Sequence, residues 1–276
     1  MKRTIITAAI AFALAPVAAF AAPSPAKQAQ KDCAALRAKT GAAAFAQAFG
    51  SPPGAANAFG KYVSKLAQVE QANTTSANAL CRAEQNDPNF PAKHGGKTFA
   101  QFYGTGNLSN AFGNCVSRKA RNSSKVEQGG LNPARACNAI RGKLGRSLFA
   151  LAFGTNTNHS NAFGKCVSLV ARSEATSVIN AASTCLDEVN DPNFASSHGG
   201  KTFAEFYGTN ADLSNAFGNC VAQKLATAVT KLQSTLSSAA KTCKTLRSSD
   251  PAGFRSKYGS RPNAFAKCVV AHAHAK

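Results

Sequence analysis

The sequence predicts an all-α protein: an up-and-down array of disulfide-stapled helical hairpins made of five tandem repeats. Three observations predict it. The string Asn-Ala-Phe recurs five times in matched surroundings. The stretches between the strings carry apolar residues at threes and fours, with no strand-type alternation. The cysteines fall where one long helix should end and the next begin.

The repeat is found by looking for internal periods first. The strings start at Asn57, Asn110, Asn161, Asn215 and Asn263. Three positions after each Phe stands Tyr62, Cys115, Cys166, Cys220 or Cys268, always followed by Val. Upstream of each string is an aromatic pair closed by Gly, such as Phe99 and Tyr103 before Gly104 or Phe149 and Phe153 before Gly154. Upstream again is one Cys per copy: Cys33, Cys81, Cys137, Cys185 and Cys243. Copies two and four share Asp-Pro-Asn-Phe and His-Gly-Gly-Lys-Thr, and Cys33 to Cys137 and Cys81 to Cys185 are both 104 residues. A two-copy unit is therefore duplicated. Residues 22–131 hold repeats 1 and 2, residues 132–236 hold repeats 3 and 4, and residues 237–276 form repeat 5, a C-terminal cap. Gly129-Gly130-Leu131-Asn132-Pro133 is the break between the units.

Each element then follows in order. Between Asn215 and Arg247 the only Gly is Gly218, and Val221, Leu225, Val229, Leu232 and Leu236 form a one-sided stripe, so the segment is a long helix. Ser109, Ser160 and Ser214, or the Asn after each, are placed to cap the helix starts. The connections hold short helices, with Asp-Pro at 87, 191 and 250 as the start and the Gly after the aromatic pair as the stop. Cys115 to Cys137 spans 22 residues, roughly 33 Å along a continuous helix. A disulfide needs Cα atoms within about 7 Å. The expected pairs are thus Cys81–Cys115, Cys137–Cys166, Cys185–Cys220 and Cys243–Cys268, each stabilising the fold by about 3–4 kcal/mol. Cys33 is left as a free thiol because Tyr62 stands in its partner's position, which makes a dimer through Cys33 an expectation to test.

The first residues set the expected address. Lys2 and Arg3 precede an apolar run from Thr4 to Phe20, and Ala19-Phe20-Ala21 has the small-x-small form of a signal-peptidase site. Residues 1–21 read as a signal peptide cleaved before Ala22, of bacterial type, which predicts a secreted, extracellular or periplasmic protein. The run is short for a membrane span, and no later segment is apolar enough to be one. Without Lys2 and Arg3 the chain has 30 basic and 12 acidic side chains, a formal +18. Residues 22–131 carry +8, residues 132–236 carry +3 and residues 237–276 carry +7.

No residue constellation commits the chain to a reaction, so no catalytic residue, cofactor or metal is expected. The 16 Phe beyond residue 21 and the four Tyr all occupy repeat positions, which assigns them to cores rather than to base stacking. His94-Gly95-Gly96-Lys97-Thr98 and its copy at 198–202 resemble the tail of a phosphate-binding loop. The first Gly of such a loop is replaced by Pro91 and Ala195, so a turn with a capping Thr is predicted. His272-x-His274 lacks a third metal ligand. The acids are scattered and form no recurring acid–base pair.

The cationic residues remain. Arg118, Lys119, Arg121 and Lys125 crowd one helix. Lys241, Lys244 and Arg247 precede the last aromatic pair, and Arg255, Lys257, Arg261 and Lys267 follow in the same copy. The leading expectation is a non-enzymatic binding or structural protein whose basic surface meets an anionic cell-envelope polymer, a polysaccharide or extracellular nucleic acid. The alternatives are a secreted hydrolase with a site between hairpins and a basic antimicrobial or toxin protein. The plainer reading of the charge is a solvated surface. Circular dichroism should show dominant helix, with a cooperative melt that weakens sharply on reduction; a strand-rich spectrum would overturn fold class and staples together.

Overall fold

A helix begins wherever this sequence sets a small polar residue or a proline before an apolar stripe. The computed structural model describes residues 24–50 and 57–274, and every regular element among them is an α-helix. The expected signal segment, residues 1–21, lies outside the described residues. Ser24 caps α1 (Pro25–Thr40), and Gly41, at φ 82°, turns the chain into α2 (Ala42–Phe49). The long helix α3 (Ala58–Gln85) is followed by two short ones, α4 (Phe90–Lys93) and α5 (Phe99–Tyr103). Next come α6 (Ala111–Gly130), which runs on through Gly129 and Gly130, and α7 (Pro133–Phe153), which begins at Pro133 and kinks at Gly145 (φ 74°). The second half repeats this order with α8 (Ala162–Asn190), α9 (Phe194–Ser197), α10 (Phe203–Tyr207) and α11 (Ala216–Ser249). The chain finishes with α12 (Pro251–Tyr258) and α13 (Ala264–His274). No helix among the described residues is long and apolar enough to cross a membrane.

All four expected disulfides are present. Cys81 of α3 joins Cys115 of α6, Cys137 of α7 joins Cys166 of α8, Cys185 of α8 joins Cys220 of α11, and Cys243 of α11 joins Cys268 of α13. Their Cα atoms lie 6.0–6.1 Å apart, and each cysteine is fully buried. Helices also pack between the halves: α3 lies against α8, and α6 against α11. Gly218 makes the second contact close, since a Cβ there would sit 2.6 Å from Ser123 Cα.

Local signals were used differently from expectation at two kinds of position. Asn110, Asn161 and Asn215 begin their helices, but their side chains do not cap them. Each side chain instead reaches back to a Thr just past the preceding Gly. Asn161 Oδ1 accepts from the Thr155 N–H at 3.0 Å, and its Nδ2 donates to Thr155 Oγ1 at 2.9 Å. Asn110 with Thr105 and Asn215 with Thr209 repeat the pattern. The second difference concerns Gly104, Gly154 and Gly208, which are not in left-handed backbone. A Cβ on any of them would come within 2.5 Å of a carbonyl oxygen and within 2.8 Å of the loop residue crossing it, Leu108, His159 or Leu213. Those three loop residues have positive φ, 51–64°, so each tight loop needs both its glycine and its strained neighbour.

The rings fill the cores as expected, with one exception. Phe206 is 44% exposed, while its sequence match Phe102 lies under the Arg118 guanidinium, 5.6 Å from the ring centroid. Thr98 and Thr202 cap α5 and α10 through reciprocal bonds with Gln101 and Glu205. Cys33 is unpaired and buried, and Tyr62 fills the space a second sulfur would leave, 4.2 Å from the Phe49 ring. Burial pushes the Cys33 thiol up to about 12, so a dimer through Cys33 finds no support in the folded state. A thiol reagent should find no reactive cysteine in native protein and one per chain after denaturation without reductant; rapid native labelling would refute this burial.

Candidate anion-binding surface

The site is built outward from the staples, because the positions one turn along from each cystine decide what charge stays inside. Beside Cys81–Cys115, Glu84 Oε1 accepts from Lys119 Nζ at 2.8 Å, and Glu84 Oε2 accepts from Tyr103 Oη at 2.9 Å. Beside Cys185–Cys220, Glu188 is held the same way by Lys224 at 2.7 Å and Tyr207 at 2.8 Å. At the matching positions near Cys137–Cys166 stand Ile140 and Val170, both fully buried. The fold thus tolerates either an ion pair or an apolar pair at this level.

This arrangement sorts the first cationic cluster. Lys119 is buried and bonded to Glu84. Arg118 is half exposed and pairs through Nε with Asp212 Oδ2 at 2.8 Å. Arg121 and Lys125 are exposed and form no ion pair among the described residues. The last copy differs. Lys241, Lys244, Arg247, Arg255, Arg261 and Lys267 are all exposed without an ion pair among the described residues, as is Lys257, whose ammonium lies 5.6 Å from the Tyr258 centroid.

The acids explain the asymmetry. Five of the twelve are buried: Asp32, Glu70, Glu127, Glu174 and Asp212. Three of them meet between α1, α3 and α6. Glu70 Oε2 accepts from Ser124 Oγ at 2.5 Å, Glu127 Oε2 accepts from Asn73 Nδ2 at 3.1 Å, and Asp32 accepts from Gln28 and Gln128. Desolvation pushes the Glu70 and Glu174 carboxyls up to about 8, and Glu127 well above the usual carboxylate range. These groups are largely protonated at neutral pH, so the fold is more basic than its residue count indicates. Asp87 and Glu205 share Lys93, and Asp191 and Asp250 accept from backbone N–H groups at the starts of turns.

Two of the clefts among the described residues differ in their electrostatics. The larger, about 640 Å³, lies between the end of α3 with α4 and α10 with the loop after it. Lys93 pairs there with Asp87 and Glu205, while the lining acids Glu84 and Asp212 pair with Lys119 and Arg118 from outside it. The smaller, about 250 Å³, is lined by Arg247 from the last turn of α11, Arg255 from α12, Arg261 from the following loop and His159 from the α7–α8 loop. No carboxylate lines it. Sequence reading named the three arginines but missed their convergence and missed His159 altogether. The Gly154–His159 close approach is the local signal for the histidine, and only in three dimensions does it mark this cleft.

The remaining histidines are structural. His94 and His198 stack face to face on Phe90 and Phe194 at 3.8 Å and donate through Nδ1 to those residues' carbonyl oxygens. His272 lies within 4.8 Å of the Cys243 and Cys268 sulfurs, but these are bonded to each other and offer no thiolate to a metal. The side chain of His274 lies outside the described residues. No family model, curated protein or solved structure matches the chain.

The buried acids give a pH dependence of definite sign. Except at Asp212, which sits below the usual carboxylate range, their folded pKa values lie above the unfolded ones, so the folded state binds more protons between about pH 4.5 and 8 and stability falls as pH rises through that window. The melting temperature should therefore drop by on the order of 5 °C or more from about pH 5 to about pH 8.5. Glu70→Gln and Glu174→Gln, which mimic the neutral acid, should each remove part of that drop. Melting that rises with pH would contradict the protonated burial.

Proposed function

We propose that this is an exported, non-enzymatic repeat protein whose basic surface binds anionic polymers of the cell envelope, polysaccharide or extracellular nucleic acid. In this reading residues 1–21 are the removed signal peptide, residues 22–131 and 132–236 are duplicated two-hairpin units, and residues 237–276 are a capping fifth hairpin. Packing of α3 on α8 and of α6 on α11 supports the duplication, since matched helices meet. The observation that carries the functional reading is the segregation of charge. Apart from the exposed Asp187, the acids are buried, paired or engaged at turns, while Lys241, Lys244, Arg247, Arg255, Lys257, Arg261 and Lys267 face solvent with no counter-ion among the described residues. A merely soluble surface needs no such sorting, because mixed charge serves as well. Arg121 and Lys125 extend the surface, while Arg118 and Lys119 contribute little because their charges are already paired.

The test is binding across a salt series to duplex DNA, heparin and isolated cell-wall polymer. Affinity should fall steeply with salt, with a log–log slope on DNA of about −0.9 per phosphate neutralised. Replacing Arg247, Arg255, Lys257 and Arg261 by Gln should weaken binding and flatten that slope. The same number of changes at exposed Lys143, Arg146, Lys201 and Lys231 should do so much less. Equal losses would mean a diffuse cloud of charge without a site, and no binding at low salt would end the proposal.

A further inference from the structure

We propose that the arginine cleft of the last copy binds one terminal phosphate or sulfate monoester, so that the protein engages anionic polymers at an end group or a monoester branch. This rests on the polyanion reading above and names the chemical group taken by its most specific site.

Three features of the cleft select that group. The first is uncompensated charge in a confined space. Arg247, Arg255 and Arg261 come from three backbone segments into a volume of about 250 Å³ that no carboxylate lines. Asp250, the one acid of residues 237–276, has its Oδ1 on the Gly253 N–H at 2.8 Å, capping α12. Three like charges held close raise the energy of the empty site, and an entering anion lowers it.

The second feature is the count of oxygens. A guanidinium presents a planar fork of donors that fits oxyanions. A carboxylate offers two oxygens for three forks. An internal phosphodiester offers two free oxygens and a single charge. A terminal monoester offers three, and a phosphate monoester carries about −1.5 to −2 charges at neutral pH. Only the monoester provides one free oxygen for each arginine.

The third feature is size and lining. Pockets for drug-sized ligands run from about 300 Å³ upward, so this cleft suits an end group and its first attached atoms. Leu151, Phe254 and Phe265 line it beside the arginines, which reduces water around the charges. His159 adds an imidazole whose Nδ1 is buried with no hydrogen-bond partner among the described residues. Gly154 and the positive φ of His159 hold that ring at the cleft.

The experiment titrates full-length protein at low salt, by calorimetry, with methyl phosphate, methyl sulfate, dimethyl phosphate and acetate. Methyl phosphate or methyl sulfate should bind at one site per chain, and the stronger of the two identifies the source. Dimethyl phosphate and acetate should bind about tenfold more weakly or worse, having lost a charge-assisted contact. Arg255→Gln and Arg261→Gln should each weaken the monoester by a similar factor, and Arg255→Lys, which keeps the charge without the fork, should recover only part. Lys143→Gln with Lys231→Gln, exposed and away from the cleft, should leave monoester binding unchanged, and melting curves check that every variant is folded. More than one site per chain, equal affinity for the diester, or indifference to Arg255→Gln with Arg261→Gln would overturn the inference. Polymer retention on the same samples separates the two ideas. Retention without monoester binding removes the end-group site and leaves the polyanion reading, and monoester binding without retention does the reverse.

Discussion

The long helices α3, α6, α7, α8 and α11 are registered by cystines near their ends, and the rest of the structure depends on that constraint. Short helical segments with alanine-rich faces bury modest apolar area, and small cores of this kind gain much of their definition from covalent staples. With the sulfurs fully buried at 6.0–6.1 Å Cα separation, the aromatic pair of each connection closes over the staple. The loop that follows is forced across the glycine and tied by Asn to Thr. At Cys33 the same space is filled by Tyr62, which shows that shape, as well as the covalent bond, defines the site.

From the staples follows the fate of the charges. A carboxylate one turn from a buried cystine cannot remain alone, so Glu84 and Glu188 each recruit a lysine and a tyrosine. Where helices α1, α3 and α6 converge, no ion pair forms among the described residues; burial raises the Glu70 and Glu127 carboxyls, and the three acids accept from Ser124, Asn73 and glutamine amides. Several anionic groups are drawn inward, where burial or a partner cancels their charge, and most cations are left outside. The positive field is therefore a product of how the interior is satisfied as much as of composition.

That outcome distinguishes two clefts of opposite character within one fold. The larger carries both signs and pairs them across its own walls. The smaller collects guanidinium groups from α11, α12 and the loop beyond, where the terminal segment has only Asp250 to offer and uses it as a helix cap. Unpaired positive charge is therefore concentrated in the smaller cleft by default of partners.

The sequence by itself determined the helical class, the four cysteine pairs, the spare Cys33 and the break before Pro133. Each follows from local spacing: about 1.5 Å per residue along a helix, a limit of about 7 Å on a cystine, and backbone that proline and glycine interrupt. Tertiary structure alone decided which cations are available. Periodicity cannot tell Lys119 from Lys125 on the same helix. What buries Lys119 is Glu84, 35 residues away, and what occupies Arg118 is Asp212 on another helix connection. Tertiary structure also decided that Asn161 ties a loop rather than caps a helix, and that His159 shares a cleft with Arg255 from a distant stretch of chain. Helical spacing fixes which face of a segment turns inward, but the partner across that face is a matter of packing between segments, and desolvation depends on that partner.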